Sequence, residues 1–380
     1  MECERSVSRR SAEIIAGNED LLMEIILLLP AKPLIKSQLV CKHWLSIIST
    51  PSFSHRHTRL FCRRPKPQQS FILRTIQSQF FYFSPICKVF HPFPFSSPYT
   101  RILQSCNGLL LIESRNSKYG QKYYCVYNPI TKKSRIVWIE RSDKNKKRYI
   151  SGVSLAFDPK RSIHYKIVCV MATELFQPDY FVDVYDSESH EWTSFGTPFP
   201  SDINTIFTNA IYWNNRVYWI RPTSKSFYLD LQTGNVGSAP DIRTPSRKHG
   251  EINKNYVMES NDHIHYVSIY LRPHMKYLLV FELLDDNSGW FELYRVSLNP
   301  ISAAFPEMNV QVGVLGIVRG ETEEESSVLL HVPGKVILYK FCDCSFEVVL
   351  DLTKSEIYKE DQLQFSRYDV YQFIESLAPV

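Results

Sequence analysis

The sequence predicts an α+β multidomain chain: a short N-terminal three-helix module followed by an all-β, propeller-like domain of about six blades. Three observations carry this prediction. Residues 18–48 are rich in apolar side chains at helical spacing and are punctuated by helix caps and prolines. From about residue 70 the pattern changes to period two, with tight-turn residues between the runs. A strand–Asx–turn–strand unit then recurs, and measured between Asn128, Asp186, Asp230, Asp285 and Asp343 its interval is 44 to 58 residues.

The first helix opens at Asn18, whose side chain suits the cap, and Glu19 and Asp20 put negative charge where the helix dipole favours it. Pro30 lacks the N–H needed to continue and disfavours helical geometry at Leu29, so the helix stops after about three turns. Eight of the nine residues from Leu21 to Leu29 are apolar, more than one buried face requires, so a second surface should cover this helix. Pro33 suits the first turn of a second helix carrying Leu34, Ile35 and Leu39. Val40, Trp44, Ile47 and Ile48 continue at helical spacing into a third, which Pro51 is expected to end. Three such short helices bury little on their own and must dock on something.

In the β region, SCNGLLLIES at 105–114 places the turn pair Asn107-Gly108 before a strand of Leu and Ile. YCVYNPITKKSRIV, FVDVYDSESHEWTSF and SFYLDLQTGNV each read as a strand, an Asx residue, a polar turn and a second strand, and the segments around Asp285 and Asp343 are looser copies. Four strands per interval describe a propeller blade, and about 310 residues make roughly six. A last strand near 372–377 is expected to pair with an early one and close the ring.

These motifs resemble two known families. Asp20-Leu21-Leu22, Glu24-Ile25, Leu29-Pro30, Lys32 to Ile35, Val40-Cys41-Lys42-His43-Trp44 and the PSF at 51–53 are similar to the F-box of plant proteins, although Gly17-Asn18 stand where that family commonly opens with Leu-Pro. SCNGLL, YNPITKK, VDVYDSESHEW and the closing YQFIESLAPV resemble the plant F-box-associated, kelch-like domain. The resemblance implies residues 1–16 as a disordered N-terminus, 17–60 as the F-box, 61–70 as a linker and 71–380 as the F-box-associated domain. It also implies a non-catalytic substrate receptor: a Skp-type adaptor, and through it a cullin–RING ubiquitin ligase, would bind the F-box, and the β domain would hold a protein target. Leu21, Leu22, Ile25, Leu28, Pro30, Leu34, Val40 and Trp44 are the residues expected to meet the adaptor. Two other readings remain at this point, a propeller enzyme or sugar-binding protein with a vestigial F-box, and an adaptor-binding scaffold outside the ligase.

Composition bounds these readings. The chain has 380 residues, 44% hydrophobic and 22% charged, and its 22 Tyr and 23 Phe favour β structure. No apolar run reaches the roughly 18 residues of a membrane span, and the N-terminus lacks the apolar stretch of a secretory signal, so a cytoplasmic or nuclear protein without membrane partners is expected. Nine scattered cysteines fit reduced thiols. The formal charge of +5 belongs to residues 1–66, which hold 11 Lys and Arg against 6 Asp and Glu, a bias too small for nucleic-acid binding and suited to an acidic protein partner.

No catalytic constellation is present: the nucleophile elbow, the phosphate-cradling glycine loop and the HExxH helix are all missing. His263 and His265 share a strand face, as do Cys342 and Cys344, but neither pair has zinc-module spacing, and no metal or cofactor is expected. RSDKNKKR at 141–148 reads as solvated loop charge with some capacity for phosphate or an acidic peptide, and ETEEE at 321–325 as an acidic loop. Among the aromatics, Tyr212, Trp213, Trp219 and Trp290 are expected in the core.

Overall fold

The computed structural model describes residues 17–63, 69–93, 100–115, 122–139, 142–143, 146–173, 179–200, 207–221, 224–242, 252–272, 275–309, 311–320, 322–359 and 362–380. The expected disordered segment 1–16, half of the linker (64–68) and part of both charged loops lie outside these residues.

Four helices open the chain: α1 (Glu19–Leu27), α2 (Ala31–Ser37), α3 (Lys42–Ile48) and α4 (Pro51–Arg63). Asn18 caps α1 through its side-chain oxygen, which accepts from Leu21 N at 3.1 Å. α2 begins directly after Pro30, with Pro33 in its first turn. The sequence pattern predicts three helices ending at Pro51; instead Pro51 is the first residue of α4, where its missing N–H costs nothing, and Thr50 Oγ1 accepts from Phe53 N. α4 therefore carries the helical module past the expected boundary at residue 60.

Six four-stranded antiparallel sheets follow. Blade 1 is ordered Phe365–Phe373, Ser70–Thr75, Phe80–Ser84, Val89–Pro92, so the last strand of the chain lies beside the first and closes the ring. This strand ends at Phe373, earlier than the expected 372–377. Blade 2 comprises Thr100–Cys106, Leu109–Arg115, Lys122–Asn128 and Lys133–Val137; blade 3 comprises Tyr149–Ala156, Lys166–Ala172, Asp179–Asp186 and Glu191–Pro200. Blade 4 runs Ile211–Trp213, Arg216–Trp219, Ser226–Asp230, Val236–Ala239; blade 5 runs Ile252–Ser260, His263–Leu271, Lys276–Leu283, Trp290–Ser297; blade 6 runs Gly313–Val318, Ser327–Val332, Lys335–Lys340, Phe346–Asp351. The first strand in each order is innermost, and these strands neighbour one another around the axis. A short helix, α5 (Asn299–Ala304), connects blades 5 and 6.

Turn chemistry repeats with the blades. The hairpins between first and second strands of blades 2, 4 and 5 use Asn107-Gly108, Asn214-Asn215 and Asn261-Asp262, every one of these residues at positive φ, the backbone that a two-residue hairpin of the right twist requires. Between third and fourth strands an Asx oxygen accepts from the backbone two residues on: Asn128, Asp186, Asp230, Asp286 and Asp343 in blades 2 to 6. In blade 5 that residue is Asp286, one beyond the expected Asp285.

The core sits between blades, not inside one central cluster. In the second strand of blade 1, Phe71 and Leu73 face blade 6 while Ile72 faces blade 2, so period-two alternation buries both faces. Equivalent apolar clusters fill the other junctions, including blades 2 and 3 around Leu109 and Ile167, and blades 5 and 6 around Val267 and Val328. Trp213 and Trp219 are buried, as expected, and Tyr212 packs against two of these clusters.

Candidate functional site

The first helix has two apolar faces. Leu22 and Ile26 are buried with Leu27, Ala31, Leu34, Ile47, Ile48 and Phe53 in the core of the helical module, and Trp44 packs half-buried against it. On the opposite side Leu21, Ile25 and Leu28, spaced i, i+4, i+7, remain exposed, Leu28 at 64%. Leu39, 88% exposed, and Val40 follow α2, and Leu45 is exposed on α3. Of the residues expected to meet an adaptor, Leu21, Ile25, Leu28, Pro30 and Val40 are thus on the surface, whereas Leu22 and Leu34 are inside. Sequence reasoning did not separate these sets, because α1 is apolar at both. Leu39 and Leu45 were missed, although Leu39 beside Val40 in a connecting turn was a visible signal.

The buried face of this module rests on the propeller through the C-terminal segment 374–380. Leu377 completes the module's core, joined by Ile130 from the blade 2 hairpin. Lys32 Nζ lies 2.9 Å from Glu375 and 4.3 Å above the Tyr82 ring. The segment is anchored in turn by Asn128, fully buried, whose Nδ2 donates to Ser376 O at 3.1 Å and Ala378 O at 2.8 Å. Gly108 lets the segment pass: a Cβ there would come within 2.2 Å of Ser376 Oγ. Ala378 then packs in the cluster between blades 2 and 3. The segment predicted to finish a strand instead joins the two domains, because its Ser376 and Ala378 carbonyls accept from Asn128 and its Ser376 hydroxyl donates to the Asn107 carbonyl, rather than its backbone pairing with a neighbouring strand.

The chemically notable groups elsewhere have structural roles. His265, Glu282 and Arg319 meet at the junction of blades 5 and 6, with His265 Nε2 2.8 Å from Glu282 and Arg319 bonded to the same carboxylate. Burial and the Arg319 charge both push His265 below its ordinary value, so it stays neutral; burial works to raise Glu282, but the His265 hydrogen bond and nearby positive charge hold it low. His263 adds a second ring 3.4 Å from Glu282. Among the described residues no group of three or more His, Cys, Asp or Glu is arranged to hold a metal, and Cys41, Cys87, Cys106, Cys125, Cys169, Cys342 and Cys344 are free thiols.

A helical module docked on a closed six-blade ring defines a two-part architecture, and comparison with known proteins places it. The F-box domain family matches residues 18–56 and the F-box associated beta propeller domain family matches residues 86–232. F-box protein At5g07610 of Arabidopsis thaliana is 30% identical over 98% of this chain and 94% of its own length. Putative F-box protein At4g09190 of the same plant is 31% identical over 40% of this chain and 39% of its own length, and F-box protein At3g08750 is 23% identical over 55% of each. The chain belongs to the F-box proteins with an associated β-propeller.

Proposed function

We propose that this protein is the substrate-recognition subunit of a cullin–RING ubiquitin ligase, its F-box held by a Skp-type adaptor and its propeller holding the protein to be modified. The observation that carries this reading is the exposed stripe of Leu21, Ile25 and Leu28, with Leu39, Val40 and Leu45, on a module whose other face is already occupied. Apolar side chains left out of a folded core favour a partner that removes them from water. Basic excess in the first 66 residues suits an acidic one. In this role the chain does no chemistry; it raises the local concentration of a target's lysines beside a charged ubiquitin carrier. Docking through 374–380 supports the same role, since a target held on the propeller then has a defined distance from the ligase.

The test is co-purification with a Skp-type adaptor and a cullin. Ile25→Asp with Leu28→Asp places two charges in the proposed interface and is expected to weaken capture by about 100-fold while leaving the melting temperature within a few degrees of wild type. Leu22→Asp is the contrasting control, expected to unfold the module because Leu22 is buried. Undiminished capture by the Ile25/Leu28 variant would overturn the adaptor face; capture of adaptor without cullin would make the protein a scaffold outside the ligase.

A further inference from the structure

Antiparallel alternation puts the starts of the innermost strands on the face of the propeller opposite the helical module: Thr100, Lys122 and Tyr149 begin strands there, while the Asn107-Gly108 and Asn128 turns that bind the C-terminal segment lie at the other end. On that opposite face a cavity of about 410 Å³ opens between blades 2 and 3, bounded by Arg101, Lys122, Arg148 and Tyr149. A second cavity of about 240 Å³ shares Lys122 and Ile150 with it and reaches outward to Trp138. The two lie side by side, with Lys122, Tyr124 and Ile150 common to both, and their lining runs from the innermost strand of blade 2 to just past its outermost. Crossing a four-stranded blade takes three interstrand steps, about 14 Å, the length of about four extended residues.

We propose that this groove holds an extended segment of the captured protein by an anionic side chain, carboxylate or phosphate, with an apolar neighbour against Trp138. The inference rests on the receptor reading above. Charge carries the first half. Lys122 is 3.0 Å from Glu113 and Arg148 is 3.8 Å from Asp183, so both are neutralised locally, whereas Arg101, exposed at the mouth, makes no ion pair with any described residue. Among the described residues, the groove cation without an ion pair is therefore Arg101, which stands across the strand pair from Glu113. Arg148 is held in place, its guanidinium 5.0 Å from the centre of the Phe181 ring, so it offers an incoming anion a preorganised donor beside Arg101.

Shape and exposure carry the second half. Trp138 is 60% exposed and Tyr149 41%, in a chain whose other large aromatics are mostly interior. The Trp138 backbone is tied to blade 3, its carbonyl accepting from Trp192 Nε1 at 3.1 Å. An exposed aromatic at one end and, at the other, an arginine without an ion pair among the described residues is the pairing of anchor and charge that hot spots use.

The test uses the full chain, assayed in parallel for capture of a Skp-type adaptor and against an oriented library of decapeptides fixed at the centre as phosphoserine, glutamate or serine. The expected result is enrichment of phosphoserine or glutamate peptides over serine by about tenfold, the two arms telling phosphate from carboxylate, with apolar residues favoured within four positions. Arg101→Glu should abolish the anion preference and Trp138→Ala the apolar one, with adaptor capture unchanged. Adaptor capture without anion-dependent enrichment, or enrichment that survives Arg101→Glu, overturns the groove assignment and leaves the receptor reading intact. Enrichment without adaptor capture does the reverse. Preferential, Arg101-dependent binding of a single-stranded RNA decamer over every peptide would also overturn it, by making the groove a nucleic-acid site.

Discussion

Asn128→Ala should separate the helical module from the propeller at a predictable energetic cost. Asn128 is fully buried and makes four hydrogen bonds: Nδ2 donates to Ser376 O and Ala378 O, and Oδ1 accepts from Ile130 N at 2.9 Å and Thr131 N at 3.2 Å. Alanine removes all four and leaves two tail carbonyls and two turn amides without partners. At about 1 kcal/mol net for each bond, with partial rescue of the less buried turn amides by water, the loss is about 3–4 kcal/mol. The cost should divide: about half belongs to the turn and half to the tail. Deleting residues 376–380 should therefore halve the effect of Asn128→Ala, giving a coupling of about 2 kcal/mol in a double-mutant cycle read by urea denaturation. Asn128→Asp, isosteric, keeps the turn bonds but turns a carboxylate toward two carbonyls, so it should cost at least as much as the tail half. A destabilisation below about 1 kcal/mol, or strict additivity with the deletion, would refute the claim that this side chain clasps the tail.

Three further outcomes are expected. Leu377→Asp buries a charge in the core of the helical module, where Leu377 is 3% exposed, and should release the module as a proteolytic fragment while the ring stays folded; an unchanged digestion pattern would count against docking through the tail. Gly152→Ala would set a Cβ 2.0 Å from the Phe207 carbonyl oxygen, a backbone atom that cannot swing away, and should cost about 2–4 kcal/mol in urea denaturation; a cost below about 0.5 kcal/mol would mean that blades 3 and 4 are less closely packed. Burial pushes the His331 imidazole down from its ordinary 6.5 to about 4, against the hydrogen bond from its Nε2 to Gln364 Oε1 at 3.1 Å. The unfolded chain binds the proton more readily, so the stability that neutral His331 contributes is complete above pH 6.5 and lost as pH falls toward 4, by about 3 kcal/mol. His331→Gln retains a donor and should flatten that part of the stability–pH curve; an unchanged slope would assign acid lability to other groups.

Much of the architecture was already legible in local chemistry. Asn18, Pro30 and Pro33 set the limits of α1 and α2 because caps and missing N–H groups act within a few residues. The Asx turns and Asn-Gly pair marked the hairpins, and their spacing counted the blades, since each side chain binds its own neighbouring backbone. Pro51 was misread because the same ring that ends one helix starts another, and only the cap geometry of Thr50 decides between them.

What local sequence could not decide was which face of each element meets which partner. Leu21 and Leu22 are chemically identical, yet one points to solvent and the other into the core, a difference fixed by where α4 and Leu377 pack. The tail 374–380 reads as strand by composition, but its course under blade 2 depends on Asn128 and Gly108, about 250 residues earlier in the chain. The groove of Arg101, Arg148 and Trp138 is likewise assembled from three separate strand ends. The sequence by itself determined the F-box, the propeller and its closure, because caps, turns and alternation are short-range and repeated. Only the tertiary structure decided the exposed stripe, the clasped tail and the basic–aromatic groove, because each exists only where distant segments are brought side by side.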